Sequence, residues 1–157
     1  MHYVHKILIK TDSKDKDEIR DQAVEETEQF WNTVYDWRET DTAGRWSDEY
    51  PDNVILGSEN LDALIKAIEN SKQSQDAEKE WYYRNLKSTD LKDIEKSEDH
   101  MDKFYLLQLA KLIYGEYDSD SYFYNCYEGS STIDDNLFQW IRDNADSVAL
   151  VIMDIHN

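Results

Sequence analysis

Histidine, cysteine and clustered carboxylates are the side chains through which this chain could do chemistry, and they are unevenly placed. His2 and His5 lie in an alternating segment near the start, His100 precedes an apolar stretch, and His156 closes the last apolar run. If the first and last of these segments pair as strands, His5 can approach Asp154 and His156, which alternate onto one face. Two imidazoles and a carboxylate make a donor set that suits a metal ion. No compact ligand motif accompanies them, so a metal-dependent enzyme using His5, Asp154 and His156 is a third reading. Cys126 stands between Asn125 and Tyr127 with no histidine nearby, and the chain has no G-x-S-x-G, P-loop or G-x-G-x-x-G. The expectation is a protein that is not an enzyme and carries no cofactor, with Cys126 serving as a small apolar residue.

What the sequence does concentrate is negative charge among aromatic rings. It has 35 Asp and Glu against 17 Lys and Arg, a formal net charge of −18, together with five Trp and eleven Tyr. Disordered acidic chains are poor in aromatics, so this composition implies a folded domain. From Leu112 to the last residue, nine carboxylates face one cation, Arg142, whereas earlier segments interleave both signs. Net charge bears on association rather than on fold, and this sign calls for a basic protein surface as partner. Direct nucleic-acid binding needs clustered Lys and Arg, which are missing outside an acid-interrupted stretch at 10–20.

Two acidic segments are the expected partner-facing surfaces. In the first, Tyr and Asp alternate through 117–128, where Asp118, Asp120, Tyr122, Tyr124 and Glu128 offer ring area beside carboxylates, and Asp134 and Asp135 follow shortly. In the second, Glu18, Asp21, Glu25 and Glu28 recur at gaps of three, four and three, which sets them in one stripe along a helix. Such a stripe can imitate duplex phosphates, although surface helices are commonly charged for solvation alone.

Periodicity supplies the elements that must position these residues. Residues 3–10 alternate as a half-buried strand, with Tyr3, His5, Ile7 and Ile9 on one side. A helix capped by Thr11, Asp12 or Ser13 is expected to run to about Arg38 through Ile19, Ala23, Phe30, Val34 and Trp37. A loop spans 40–53, a short strand 54–56, and a helix capped by Ser58 or Asn60 carries Leu61, Leu64, Ile65 and Ile68 before a break at 73–76. Further helical stretches hold Trp81, Tyr82 and Leu86, then Met101 to Tyr114, where Gly115 stops the helix. A strand follows at 121–127, then a helix at 133–144 with Thr132 and Asp135 as a capping box. The stretch 147–155 is apolar on both faces, which implies a central strand. The expected fold class is α+β: one domain over residues 1–157, with a three- or four-stranded, largely antiparallel sheet and helices packed on it. No apolar run reaches the length of a membrane span, and a single cysteine fits a reducing compartment, so a cytoplasmic chain without membrane contact is expected.

Asp36, Trp37 and Arg38, followed by Gly44, Arg45, Trp46 and Ser47, resemble a Gly-Arg-Trp segment of small phage-encoded proteins, with Ala43 here where those often carry a further glycine. The segment is expected to serve packing, with Arg45 over an indole. In length, single-domain character, missing catalytic motifs and Asp, Asn, Lys and Tyr usage, the chain resembles the small acidic anti-CRISPR proteins that inhibit Cas9. That resemblance implies binding to a Cas nuclease through its basic surfaces, blocking DNA binding or the docking of a nuclease domain. A general acidic adaptor that docks through aromatic residues is the alternative.

Overall fold

In the computed structural model, which describes residues 1–157, the strand at the start and the strand at the end lie side by side at the centre of one sheet. Strand β1 (His2–Lys10) pairs antiparallel with β5 (Val148–His156) along its full length, from His2 opposite His156 to Lys10 opposite Val148. The short β4 (Phe123–Asn125) runs parallel to β1 on its other edge. The outer edge of β5 is shared end to end by β2 (Trp37–Glu39), opposite 154–156, and β3 (Val54–Leu56), opposite 149–151. Asn53 fills the gap between them: its amide donates to the carbonyls of Thr40 and Ile152, and its own carbonyl accepts from the Ile152 N–H at 2.8 Å. The sheet is thus four strands wide but built from five, and mixed, because β4 is parallel to its neighbour.

Both faces of the sheet are covered. Ile7, Ile9, Val151, Met153 and Ile155 meet Ile19 and Ala23 of α1 (Lys16–Thr27) on one face. Leu8, Leu150 and Ile152 meet Leu64, Ala67 and Ile68 of α2 (Gly57–Asn85) and Leu137 and Ile141 of α5 (Asp135–Asp143) on the other. That two-sided burial is why β5 reads as apolar at every position but Asp154 and the terminal His156. The chain is a single α+β domain of helices on an open sheet, and no helix is long and apolar enough to cross a membrane.

Several boundaries differ from expectation, each for a tertiary reason. The first helix does not reach Arg38. Thr27 turns its hydroxyl back onto the Ala23 carbonyl at 2.7 Å, the Tyr35 hydroxyl donates to the Thr27 carbonyl, and Asn32 adopts φ +61°, so the chain reverses and Trp37 enters β2 instead. The cap of α1 is Asp15, whose carboxylate accepts from the N–H of Asp17. The cap of α5 is Asp134, accepting from Leu137 N–H at 2.9 Å, and not Thr132.

The break expected at 73–76 does not occur. Gln75 is buried in α2 and its amide donates to the carbonyls of Ser121 at 2.7 Å and Ser131 at 2.9 Å, while Lys72 and Lys79 both reach Asp76. Asn60 does cap the main run of α2, accepting from Ala63 N–H at 3.1 Å. Asn60 is non-helical and kinks α2, and the run beyond it, residues 61–85, is about 37 Å long at 1.5 Å per residue. It outruns the sheet, and its far end packs on α4 (His100–Tyr114), with a short α3 (Leu91–Lys96) between them.

Candidate protein-binding surface

Beyond the sheet edge, α2 and α4 form a second, smaller core in which Tyr82, Leu109 and Leu112 are buried with Leu86 and Tyr105 against them. A pair of helices can bury one stripe each, and here the remaining stripe is apolar as well. Trp81 is 48% exposed, Met101 and Phe104 46% each and Leu107 54%. On α4, Met101, Phe104 and Leu107 recur at three-residue spacing, so successive side chains lie about one turn apart on one side of the helix.

A groove of about 570 Å³ runs between the two helices, lined by Ala77, Glu78, Trp81 and Tyr82 from α2 and by Met101, Phe104 and Tyr105 from α4. Its rings are set nearly perpendicular. Trp81 and Tyr105 have centroids 5.2 Å apart at 88°, and Trp81 and Tyr82 5.2 Å apart at 83°. Edge-to-face contact of this kind holds the rings while the Trp81 ring stays exposed.

Glu78 lines the groove, and two further carboxylates lie beyond Tyr82. The Tyr82 hydroxyl donates to Asp120 at 3.4 Å, and Asp120 and Asp118 share a tight turn in which Asp120 N–H donates to the Asp118 carboxylate and the Ser121 hydroxyl donates to the Glu116 carbonyl. Burial, reinforced by the charge of Asp120, pushes Glu78 and Asp118 above the usual carboxylate range, and burial does the same to Asp120. The nearest cation is Lys111, whose Nζ lies 3.9 Å from Asp118. Asp118 and Asp120 therefore share one ammonium, and Glu78 has no cation partner. Tyr82 is raised by its burial and by Asp120, so its hydroxyl stays protonated and acts as a donor.

The sequence-derived residues do not converge on this surface. Only Asp120 reaches it, through the Tyr82 hydroxyl, beside Glu78, which nothing in the local sequence marks out, while Asp118 sits behind Asp120 near Lys111. Tyr122 is half-buried at φ +55° behind them. Tyr124 is not a docking residue: it is buried against Phe30 and Tyr117, because β4 is covered on both faces, with Phe123 in the opposite core. Glu128 is exposed in the turn that follows, beside Tyr127, which stacks on Trp140. Asp134 is engaged as the α5 cap and Asp135 is exposed in its first turn. Glu18, Asp21 and Glu25 are exposed along α1, on the sheet face opposite α2, and Glu28 pairs with Arg38 at 2.6 Å just past the helix end. The acidic positions thus occupy separate places on the molecule.

The metal reading is corrected by strand register. In the β1–β5 pairing, even-numbered residues stand opposite even-numbered ones, so His5 faces Met153 and points into the α1 side. It is His2 whose Nδ1 reaches Asp154 Oδ1 at 2.9 Å, while His156 bonds Asp36 at 2.8 Å, and no group of three His, Cys, Asp or Glu is placed to hold a metal ion. His5 is fully buried, with Nδ1 2.5 Å from the Tyr117 hydroxyl and Nε2 3.3 Å from the Ser119 carbonyl. A carbonyl only accepts, so Nε2 carries the proton and Tyr117 donates to Nδ1. Burial, together with the charge of Lys6, pushes this imidazole down to about 3.

Burial and the neighbouring Glu26 push Cys126 up to about 12, which leaves it a protonated thiol packed against the core. The Gly-Arg-Trp segment serves packing, but its cation over an indole is Arg38, 5.6 Å from the Trp31 ring, while Arg45 is exposed and contributes its backbone N–H to Asp154. The fold and this surface define a mixed-sheet α+β domain with an exposed aromatic and acidic helical projection. Comparison with protein families, with characterised proteins and with solved structures returns no match.

Proposed function

We propose that the protein acts without catalysis, by binding a basic protein surface, and that its target is a DNA-processing nuclease of the Cas9 class. The observation that supports the binding reading is the α2–α4 projection, where apolar rings lie exposed next to carboxylates that only Lys111 approaches. Exposed aromatic anchors supply contact area, and unpaired carboxylates steer a positively charged partner and lose little on desolvation that burial has not already cost. The resemblance to acidic anti-CRISPR proteins supports the choice of nuclease, whose nucleic-acid channel is strongly basic.

Cleavage of target DNA by purified Cas9–guide complexes, with and without a tenfold excess of this protein, tests the proposal. Inhibition accompanied by co-elution, both weakening as salt is raised, is the expected result. Undiminished cleavage and no co-elution across a panel of such nucleases overturns the nuclease assignment.

A further inference from the structure

We propose that the α2–α4 groove is an anchor site for an arginine side chain presented by a basic protein partner, with the stem against Met101 and Phe104 and the guanidinium over the exposed Trp81 ring beside Glu78 and Asp120. The inference rests on the partner being basic, and it names what that partner must present. The groove combines two features that a cation on an apolar stem requires: rings set at right angles around the exposed Trp81, and the Glu78 carboxyl group in its lining, with Asp120 just beyond it at the Tyr82 hydroxyl. Ring quadrupoles attract a cation over the face, and the attraction grows when water is excluded. Arginine fits better than lysine because its planar, weakly hydrated guanidinium stacks on an aromatic ring and still offers N–H donors sideways to carboxylates.

The cations already near the groove do not occupy this role. Lys79 reaches Asp76 at 3.6 Å and Lys111 approaches Asp118, leaving Glu78 and Asp120 without an ion pair. A second copy of the chain is a poor occupant, since each copy carries −18 and would set its own carboxylates against these.

The test uses the full chain, labelled with ¹⁵N, titrated with an acetylated, amidated Gly-Arg-Gly-Arg-Gly peptide and with its citrulline counterpart, which keeps the shape and removes the charge. Shifts confined to residues 77–82, 101–105 and 118–120, including the Trp81 indole N–H, with binding weakened about tenfold by citrulline, are expected from the size of a cation–π contact plus a charged hydrogen bond. Trp81→Ala and Glu78→Gln should each weaken binding about fivefold on the same grounds; Trp81 is exposed and Glu78 half-buried, so neither substitution empties the core, and the ¹⁵N spectrum of each variant checks that the fold is retained. Peptide shifts that fall along Glu18, Asp21 and Glu25 with the groove silent overturn the groove while leaving a basic partner in place. Equal binding of the citrulline peptide, or no shift in the groove, also overturns it. Failure of the broader reading shows separately, as absence of nuclease co-elution.

Discussion

Gly44 and Asp154 compete for the same space. Gly44 lies at φ +55°, and a Cβ placed on it would stand 2.5 Å from both the Cβ and the Oδ2 of Asp154. The close approach lets the next residue, Arg45, donate its N–H to Asp154 Oδ2 at 3.2 Å while His2 meets Oδ1. A carboxylate only 2% exposed on a central strand is thereby satisfied by the loop that crosses it. Gly44→Ala should therefore destabilise the fold by about 2 kcal/mol or more, from left-handed strain and the clash together. Urea denaturation reads this, and a loss well under about 1 kcal/mol would show that the loop moves freely off Asp154.

His5 makes stability depend on acidity with a definite sign. Its pKa in the folded state, about 3, lies below the ordinary histidine value of about 6.5, so the unfolded chain binds the extra proton first. Its contribution is complete above pH 6.5 and is lost as pH falls toward 3, to an extent on the order of 5 kcal/mol at the limit. Glu78, Asp118 and Asp120, all raised, act in the opposite sense and favour the fold as they protonate. His5→Gln keeps a donor and an acceptor for Ser119 and Tyr117 but does not titrate. Its denaturation midpoints between pH 7 and 4 should fall less steeply than those of the unsubstituted protein.

Lys6 is 3% exposed on the α2 side of the sheet, with its Nζ 5.5 Å from the Tyr50 ring centroid, and burial pushes its pKa down to about 8. The Tyr50 hydroxyl nearby is buried without a partner. An ammonium held there disfavours the folded state below pH 8, and the penalty is relieved as pH rises from 8 toward the unfolded value near 10.5. Lys6→Met should raise stability by about 1–2 kcal/mol at pH 7. Repeating the denaturation at pH 10 should show a smaller advantage; an advantage that does not shrink would mean that Lys6 does not titrate there.

The α1 stripe is a solvated face on the side of the sheet away from the groove. Reversing two of its charges, Asp21→Lys with Glu25→Lys, should leave nuclease or peptide binding within about twofold, since exposed charges beyond a Debye length are largely screened. Salt-dependent loss of binding greater than tenfold in that variant would move the interface to α1.

Gln75 shows why part of the fold escaped the sequence reading. A polar run from Gln73 to Asp76 looks like a helix break, yet Gln75 joins α2 to the Ser121 and Ser131 carbonyls across 46 and 56 residues. Gln75→Ala leaves both carbonyls buried without that donor and should cost about 2 kcal/mol, read by thermal denaturation. Local composition cannot report a partner so distant. The same holds for Glu78, which looks like any surface glutamate until Asp120 and Tyr82 close around it.

What the sequence determined alone were features carried by local periodicity and capping: the position of β1, the two apolar faces that make β5 central, the Asn60 cap and the stop of α4 at Gly115. The half-buried character expected of β1 does not hold, since His5 to Ile9 are buried on both faces once helices cover each side of the sheet. The tertiary structure decided what depends on register and on distance. A one-residue change of parity sends His2 rather than His5 to Asp154, because successive strand residues face opposite sides. A reversal held by Thr27, Tyr35 and Asn32 turns an expected helix end into β2, and the reach of α2 past the sheet creates the groove with α4. Such outcomes depend on which chain segments meet, and periodicity within a segment holds no record of that.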